Sequence, residues 1–172
     1  LLFNANKVFD RQIIEGIGHY LHSTKVNWDV YLEEDFLCRL EHIREWGGHG
    51  IIADFDDPQI RKSLKNSNIP VVGVGSSYAD QSLYPEVPYV ATDNTAVVRA
   101  AYAHLKKKGL ERFAFYGLPT NTNHLWANER EQAMLQLCKL DSRECSLYRG
   151  ETTSAETWQF NMNRLTQWVA SL

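Results

Sequence analysis

Carboxylates, amides, a guanidinium and aromatic rings gather in this 172-residue chain just past its short apolar runs. Asn6, Phe9, Asp10 and Arg11 follow Leu1-Leu2-Phe3, and Asp54, Asp56 and Asp57 follow Ile51-Ile52-Ala53. Asp93 comes after Tyr89-Val90-Ala91-Thr92, and Trp126 and Arg130 open a helical pattern further on. Such a mixture suits a polyhydroxyl ligand. Hydroxyls donate to carboxylates and accept from guanidinium or amide N–H groups, while the C–H face of a sugar ring packs on Phe or Trp. The alternative for the same residues is a scatter of helix caps and surface polar groups. Asp56 or Asp57, placed ahead of Pro58, would cap a helix there, whereas Asp54 is free to face the ligand edge.

Other chemistries lack their residues. No Gly-rich loop ends in Gly-Lys-Ser/Thr, and Asn4-Ala5-Asn6-Lys7 stands where a dinucleotide fingerprint would follow the first strand. Gly73-x-Gly75 reads as two glycines relieving crowding at a turn. No nucleophile elbow occurs, His104 and His124 have no partner at metal-ligand spacing, and His19 and His22 fall near the end of a helix. Asp10 with the Asp54 group resembles the acid pocket of a phospho-receiver domain. That pocket also needs paired acids ending the first strand and a lysine after the fifth, where Asn4-Ala5-Asn6 and Gly117 stand instead. Cys38, Cys138 and Cys145 cannot complete a disulfide framework and lack metal spacing, which fits a reducing, cytoplasmic setting. The expectation is a binding protein rather than an enzyme, with no cofactor and no metal.

These residues need a scaffold that carries strand ends to a common edge. Apolar runs at 1–3, 28–32, 51–53, 71–74, 112–116 and 145–148 predict strands, and 87–91 a further short strand or extended piece. Between them, Ile13, Ile17, Tyr20 and Leu21 predict a helix over 9–22, and Phe36, Leu37, Leu40, Ile43 and Trp46 a second, with Cys38 as a small buried residue. Pro58 opens a third, and Val97, Val98, Ala101, Tyr102 and Leu105 mark a fourth, closed by Lys106-Lys107-Lys108 and Gly109. Met134, Leu137 and Cys138 belong to a fifth, and Trp158, Met162, Leu165 and Val169 to a sixth. Alternating strands and helices imply a parallel α/β fold. Drawn from the pattern alone, it is one continuous six-stranded sheet.

A net charge of −3, balanced in both halves of the chain, excludes a nucleic-acid surface by charge. No apolar run reaches transmembrane length and no basic-then-apolar leader is present, so no membrane association is expected. The chain starts within an apolar run and stops after a helix, and both ends read as cut from something longer.

Several stretches resemble the effector domains of lac-repressor-type regulators, which share the periplasmic sugar-binding-protein fold. They are Asp93-Asn94 through Leu105 to Gly109, the run 112–119 (Arg-Phe-Ala-Phe-Tyr-Gly-Leu-Pro), and Arg130-Glu131-Gln132-Ala133-Met134. Within that group the xylose-operon activators are the nearer resemblance. It rests on Phe3-Asn4-Ala5-Asn6-Lys7 with Asp10-Arg11-Gln12, Ile52 to Asp57, Tyr89 to Asn94, and Trp126-Ala127 with Glu129-Arg130-Glu131. The resemblance implies a periplasmic-binding-protein-like fold of two α/β lobes, the first over 1–110 and the second only opened, as βαβα, by 111–172. It implies a monosaccharide effector, D-xylose, in a cleft between lobes, with Asp10, Asp93 and Arg130 as polar contacts. Phe9 and Trp126 would be aromatic walls, and Asn6 and Asp54 supporting groups. It further implies a homodimer, and DNA binding only through a C-terminal helix-turn-helix module that these residues do not include. A transport-type sugar-binding protein is the alternative, and a doubly wound enzyme fragment a more distant one.

Overall fold

A computed structural model of the chain describes residues 1–33, 47–78, 81–122 and 124–172. The expected second helix and Cys38 lie outside the described residues. The elements run α1 (Val8–Thr24), β1 (Ile51–Asp54), α2 (Pro58–Leu64), β2 (Val71–Ser76), a short 3-10 turn (Gln81–Leu83) and β3 (Tyr89–Thr92). They continue with α3 (Asn94–Lys107), β4 (Phe113–Gly117), α4 (Leu125–Leu140), β5 (Cys145–Arg149) and α5 (Trp158–Ala170). Among these residues no helix is long and apolar enough to cross a membrane.

Helix ends follow local chemistry. Asp57 accepts from the backbone N–H groups of Gln59 and Ile60 at 2.8 and 3.2 Å, with Pro58 in the first turn. Asp93 accepts from Ala96 N at 2.8 Å and starts α3, which Gly109 closes at a positive φ of 79°.

The strands pair in parallel as β1-β2-β3 in one sheet and β4-β5 in another. Leu2 adds parallel bridges to Ala53 and to Glu33, so the N-terminal segment lies beside β1 with Glu33 on its far side. The expected strand over 28–32 is not formed as such. The Leu1 amine donates to Tyr31 O (2.6 Å) and Glu33 N to Leu1 O (3.0 Å), but Leu1 and Leu2 offer the segment too short an edge for a ladder.

The single six-stranded sheet expected from the pattern is not what forms. Two compact units, Leu1–Thr92 and Asp93–Leu172, each hold a sheet and a core. The first core joins Leu2, Ile51, Ala53, Phe55, Ile60, Leu64 and Val71, the second Val98, Tyr102, Phe113, Ala133, Met134 and Cys138. Strand alternation specifies which segments are extended but not which edges pair. Here α3 lays Val98 and Tyr102 against Phe113, so β4 begins a new core instead of extending the old one. For the same reason α3, expected to close the first lobe, packs within the second unit. Cys138 and Cys145 are free thiols at this core, and burial beside Cys138 pushes Cys145 up to about 11.

Gly73 and Gly75 lie within β2 rather than in a turn after it, and a neighbour explains both. A Cβ at 73 would stand 2.8 Å from the Tyr89 ring, and one at 75 only 2.5 Å from the Tyr89 hydroxyl and 2.8 Å from an Asp56 oxygen. Gly75→Ala should therefore cost about 1–3 kcal/mol by overpacking. Gly16→Ala, exposed in α1 with nothing within 4 Å, should gain about 0.5–1 kcal/mol. Urea unfolding of the two variants checks the contrast.

Candidate functional site

The first unit assembles its polar groups where the N-terminal segment and β1 end. The chain turns at Asn4 to Asn6, and α1 starts at Val8 without a side-chain cap. Asp10 serves that turn instead: it reaches back to accept from Asn4 N at 2.7 Å and is the sole buried residue described for α1. Next to it, Asp54 at the end of β1 is buried and accepts from Lys7 Nζ at 2.7 Å and from Asp56 N at 2.9 Å. Asp54 thus holds the ammonium directly, and the buried Asp10 feels its charge.

Protonation reflects that crowding. Burial raises the Asp10 carboxyl above its ordinary range and the Asp54 charge adds to this, while the Asn4 N–H and Lys7 oppose it. For Lys7 burial alone would lower the pKa, but the hydrogen bond and charge of Asp54, with Asp10 beyond, carry it upward. Asn6 and Phe9 flank the pair on exposed positions, and Arg11 Nη1 donates to Ala5 O at 2.7 Å, stitching the turn.

The acidic run after β1 disperses. Asp57 caps α2. Asp56 accepts from Ser76 N at 2.9 Å and from Ser76 Oγ at 2.8 Å, tying β1 to β2, and Tyr89 OH donates to Ser76 O at 2.9 Å. Only Asp54 of the three joins Asp10.

The second unit builds around Asn94, which is fully buried at the start of α3. Its Nδ2 donates to Glu129 Oε2 at 2.7 Å, and its Oδ1 accepts from Arg130 Nε at 2.9 Å. The Arg130 guanidinium lies over the Trp126 ring, 4.9 Å from the centroid, as i,i+4 spacing on α4 permits. Clamped on one side and stacked on its face, Arg130 keeps both Nη groups without a hydrogen bond among the described residues. Asp93 directs one carboxylate oxygen to the α3 cap and stays exposed.

The sequence-derived residues thus fall into two sets: Asn6, Phe9, Asp10 and Asp54 in the first unit, Asp93, Trp126 and Arg130 in the second. Lys7 and Asn94 were missed as members. Both fall inside motifs that carry the resemblance, Lys7 ending Phe3-Asn4-Ala5-Asn6-Lys7 and Asn94 following Asp93, but neither was given a role at the site. Among the described residues no group of His, Cys, Asp and Glu is placed to hold a metal ion.

Parallel sheets flanked by helices, in two units, define a class that comparison with solved structures supports. A periplasmic binding protein/LacI transcriptional regulator from Alkaliphilus metalliredigens QYMF, complexed with D-xylulofuranose, superposes with a TM-score of 0.63 at 19% identity, over 91% of this chain and 57% of that one. The fold is that of periplasmic-binding-protein-like α/β domains. Residues 1–95 match the XylR N-terminal domain, and the chain belongs to that family. The xylose operon regulatory protein of Escherichia coli K12 is 49% identical over 172 residues, all of this chain and 44% of the relative. A structure of xylose-binding transcription activator XylR matches with a TM-score of 0.86 and 47% identity, over 99% of this chain and 43% of that one. The chain therefore spans less than half the length of these relatives.

Asp10 gives this site a pH signature. A carboxyl whose pKa is raised on folding holds its proton in the native state after the unfolded chain has released it. Stability is then full below the usual value of 3.8 and falls as pH rises through the higher native value. Asp10→Asn keeps an acceptor for Asn4 N–H and removes that loss. As pH rises from about 4 the variant should gain in urea midpoint relative to wild type. A constant difference would contradict the assignment.

Proposed function

We propose that this chain is the sugar-sensing part of a transcription activator, with a pentose, D-xylose, as its ligand. The observation that carries this reading is Arg130, fixed by Asn94 and stacked on Trp126 with both Nη groups open. A flat aromatic face beside a preorganised donor fork is what a sugar ring with neighbouring hydroxyls requires. Asp10, with Asp54 and Lys7 behind it, supplies the acceptor character that hydroxyl donors need. Phe9, Asn6 and Asp93 are the further contacts. The relatives named for xylose regulation point to the same sugar.

In the whole protein, sugar binding would favour one conformational state of the effector domain and so bias an attached DNA-binding module. This is a population shift and requires that the sugar bind the two states with different affinity. The reading includes a homodimer working in the cytoplasm, in keeping with unpaired thiols at Cys138 and Cys145.

Calorimetric titration of D-xylose, L-arabinose, D-ribose and D-glucose into the full-length protein tests it, repeated with Asp10→Ala and Arg130→Ala. Selective xylose binding is expected, weakened by about tenfold or more in each variant, as loss of a charged hydrogen-bonding partner implies. Binding of none of these sugars, or tight binding that survives both substitutions, would overturn the reading.

A further inference from the structure

One buried acid of the second unit belongs to neither set. Glu131 follows Arg130 on α4 and turns to the C-terminal ends of β4 and β5, where it is buried. Arg149, the last residue of β5, grips it with two parallel bonds: Nε to Oε2 at 2.9 Å and Nη2 to Oε1. Gly117, paired in register with Arg149, makes room for this carboxylate, since a Cβ there would stand 2.8 Å from Glu131 Oε2. The glycine, the acid and the arginine therefore form one unit. Arg149 is still 41% exposed along its side chain, and its Nη1 has no hydrogen bond among the described residues.

Stability is a weak reason for such a pair. Burying an ion pair gains little over apolar packing of the same volume, and an exposed arginine does not need a buried partner. What the pair does achieve is orientation without net charge. On α4, Arg130 is held by the neutral Asn94 amide, and the next residue, Glu131, holds Arg149 at the ends of β4 and β5. The charge of Arg149 is offset by Glu131. Ligands of parallel α/β sheets collect at this edge.

We propose that Glu131 is a positioning residue that holds Arg149 as a charge-compensated donor at the sugar site, selecting neutral sugars over anionic ones. The proposal rests on the sugar-binding reading above. A free guanidinium fork prefers carboxylate or phosphate, so an uncompensated Arg149 would invite acidic sugars. With Oε1 and Oε2 of Glu131 taking two of its five N–H donors and offsetting its charge, Arg149 keeps Nη1 for a neutral hydroxyl but no net charge to hold a carboxylate.

The test is titration of the full-length protein with D-xylose, D-glucose and D-glucuronate, for wild type, Glu131→Gln, Arg149→Gln and the double variant. Glucuronate carries the xylopyranose ring with a carboxylate on C5, and glucose is its neutral counterpart of similar size. Glu131→Gln should improve glucuronate affinity relative to glucose and xylose by about tenfold or more, an effect that added salt weakens and the double variant loses. Arg149→Gln should weaken xylose binding by about tenfold, without any gain for glucuronate. A glucuronate preference unchanged in Glu131→Gln would overturn the proposal. Should that variant fail to fold, unchanged xylose affinity in Arg149→Gln would overturn it equally. Wild type that binds no xylose would remove the sugar reading itself, whereas wild type that binds xylose beside unresponsive variants would remove only the role of the pair.

Discussion

Parallel pairing carries the C-terminal ends of β1, β2 and β3 to one edge of their sheet, and those of β4 and β5 to one edge of theirs. Every polar group of interest hangs on that constraint. Asp54 ends β1, Ser76 ends β2, Asp93 follows β3, and Gly117 and Arg149 end β4 and β5. Antiparallel pairing would have sent alternate members of this set to opposite ends. The helix that follows each strand then adds its first turn to the same edge, which brings in Asp10 and Arg130.

Holding charged groups at a partly dry edge raises an electrostatic difficulty, and the two units answer it differently. The first places Lys7 against Asp54, near Asp10, so that two buried carboxylates are tolerated with one of them shifted toward its neutral form. The second uses a neutral hub: the Asn94 amide accepts from Arg130 and donates to Glu129, orienting a cation and an anion without charge of its own. Away from the edge, Tyr102 and Lys106 both donate to Asp141, which ties α3 to the end of α4 and lowers the Asp141 carboxyl through those two hydrogen bonds. Rigid support of this kind is what a preorganised binding site needs.

Local chemistry was readable from the residues, and tertiary pairing was not. Asp57 before Pro58 and Gly109 after a lysine run announced helix boundaries that form through contacts a few residues long. Asp10 and Arg130 stood out through their resemblance to family motifs, and the structure gives each a defined setting, Asp10 against Asn4 N–H and Arg130 against Asn94 and Trp126. The alternation at 28–32 promised a strand, but a strand needs a partner edge and the N-terminal segment supplied only Leu1 and Leu2. Lys7 and Asp54 are 47 positions apart, Asn94 and Arg130 36, and Glu131 and Arg149 18, so no periodicity could have joined them. Gly75 shows the same limit, since its reason is the Tyr89 hydroxyl arriving from another strand.

Asp10 and Arg130 are each proposed to contact the sugar. A crystal structure of the full-length protein grown with D-xylose addresses this directly. Sugar hydroxyls are expected within about 2.7–3.2 Å of an Asp10 carboxylate oxygen and of the open Arg130 Nη groups, with the ring against Trp126. Xylose bound elsewhere, with Asp10 still engaged only by Asn4 and Arg130 only by Asn94, would contradict the proposal.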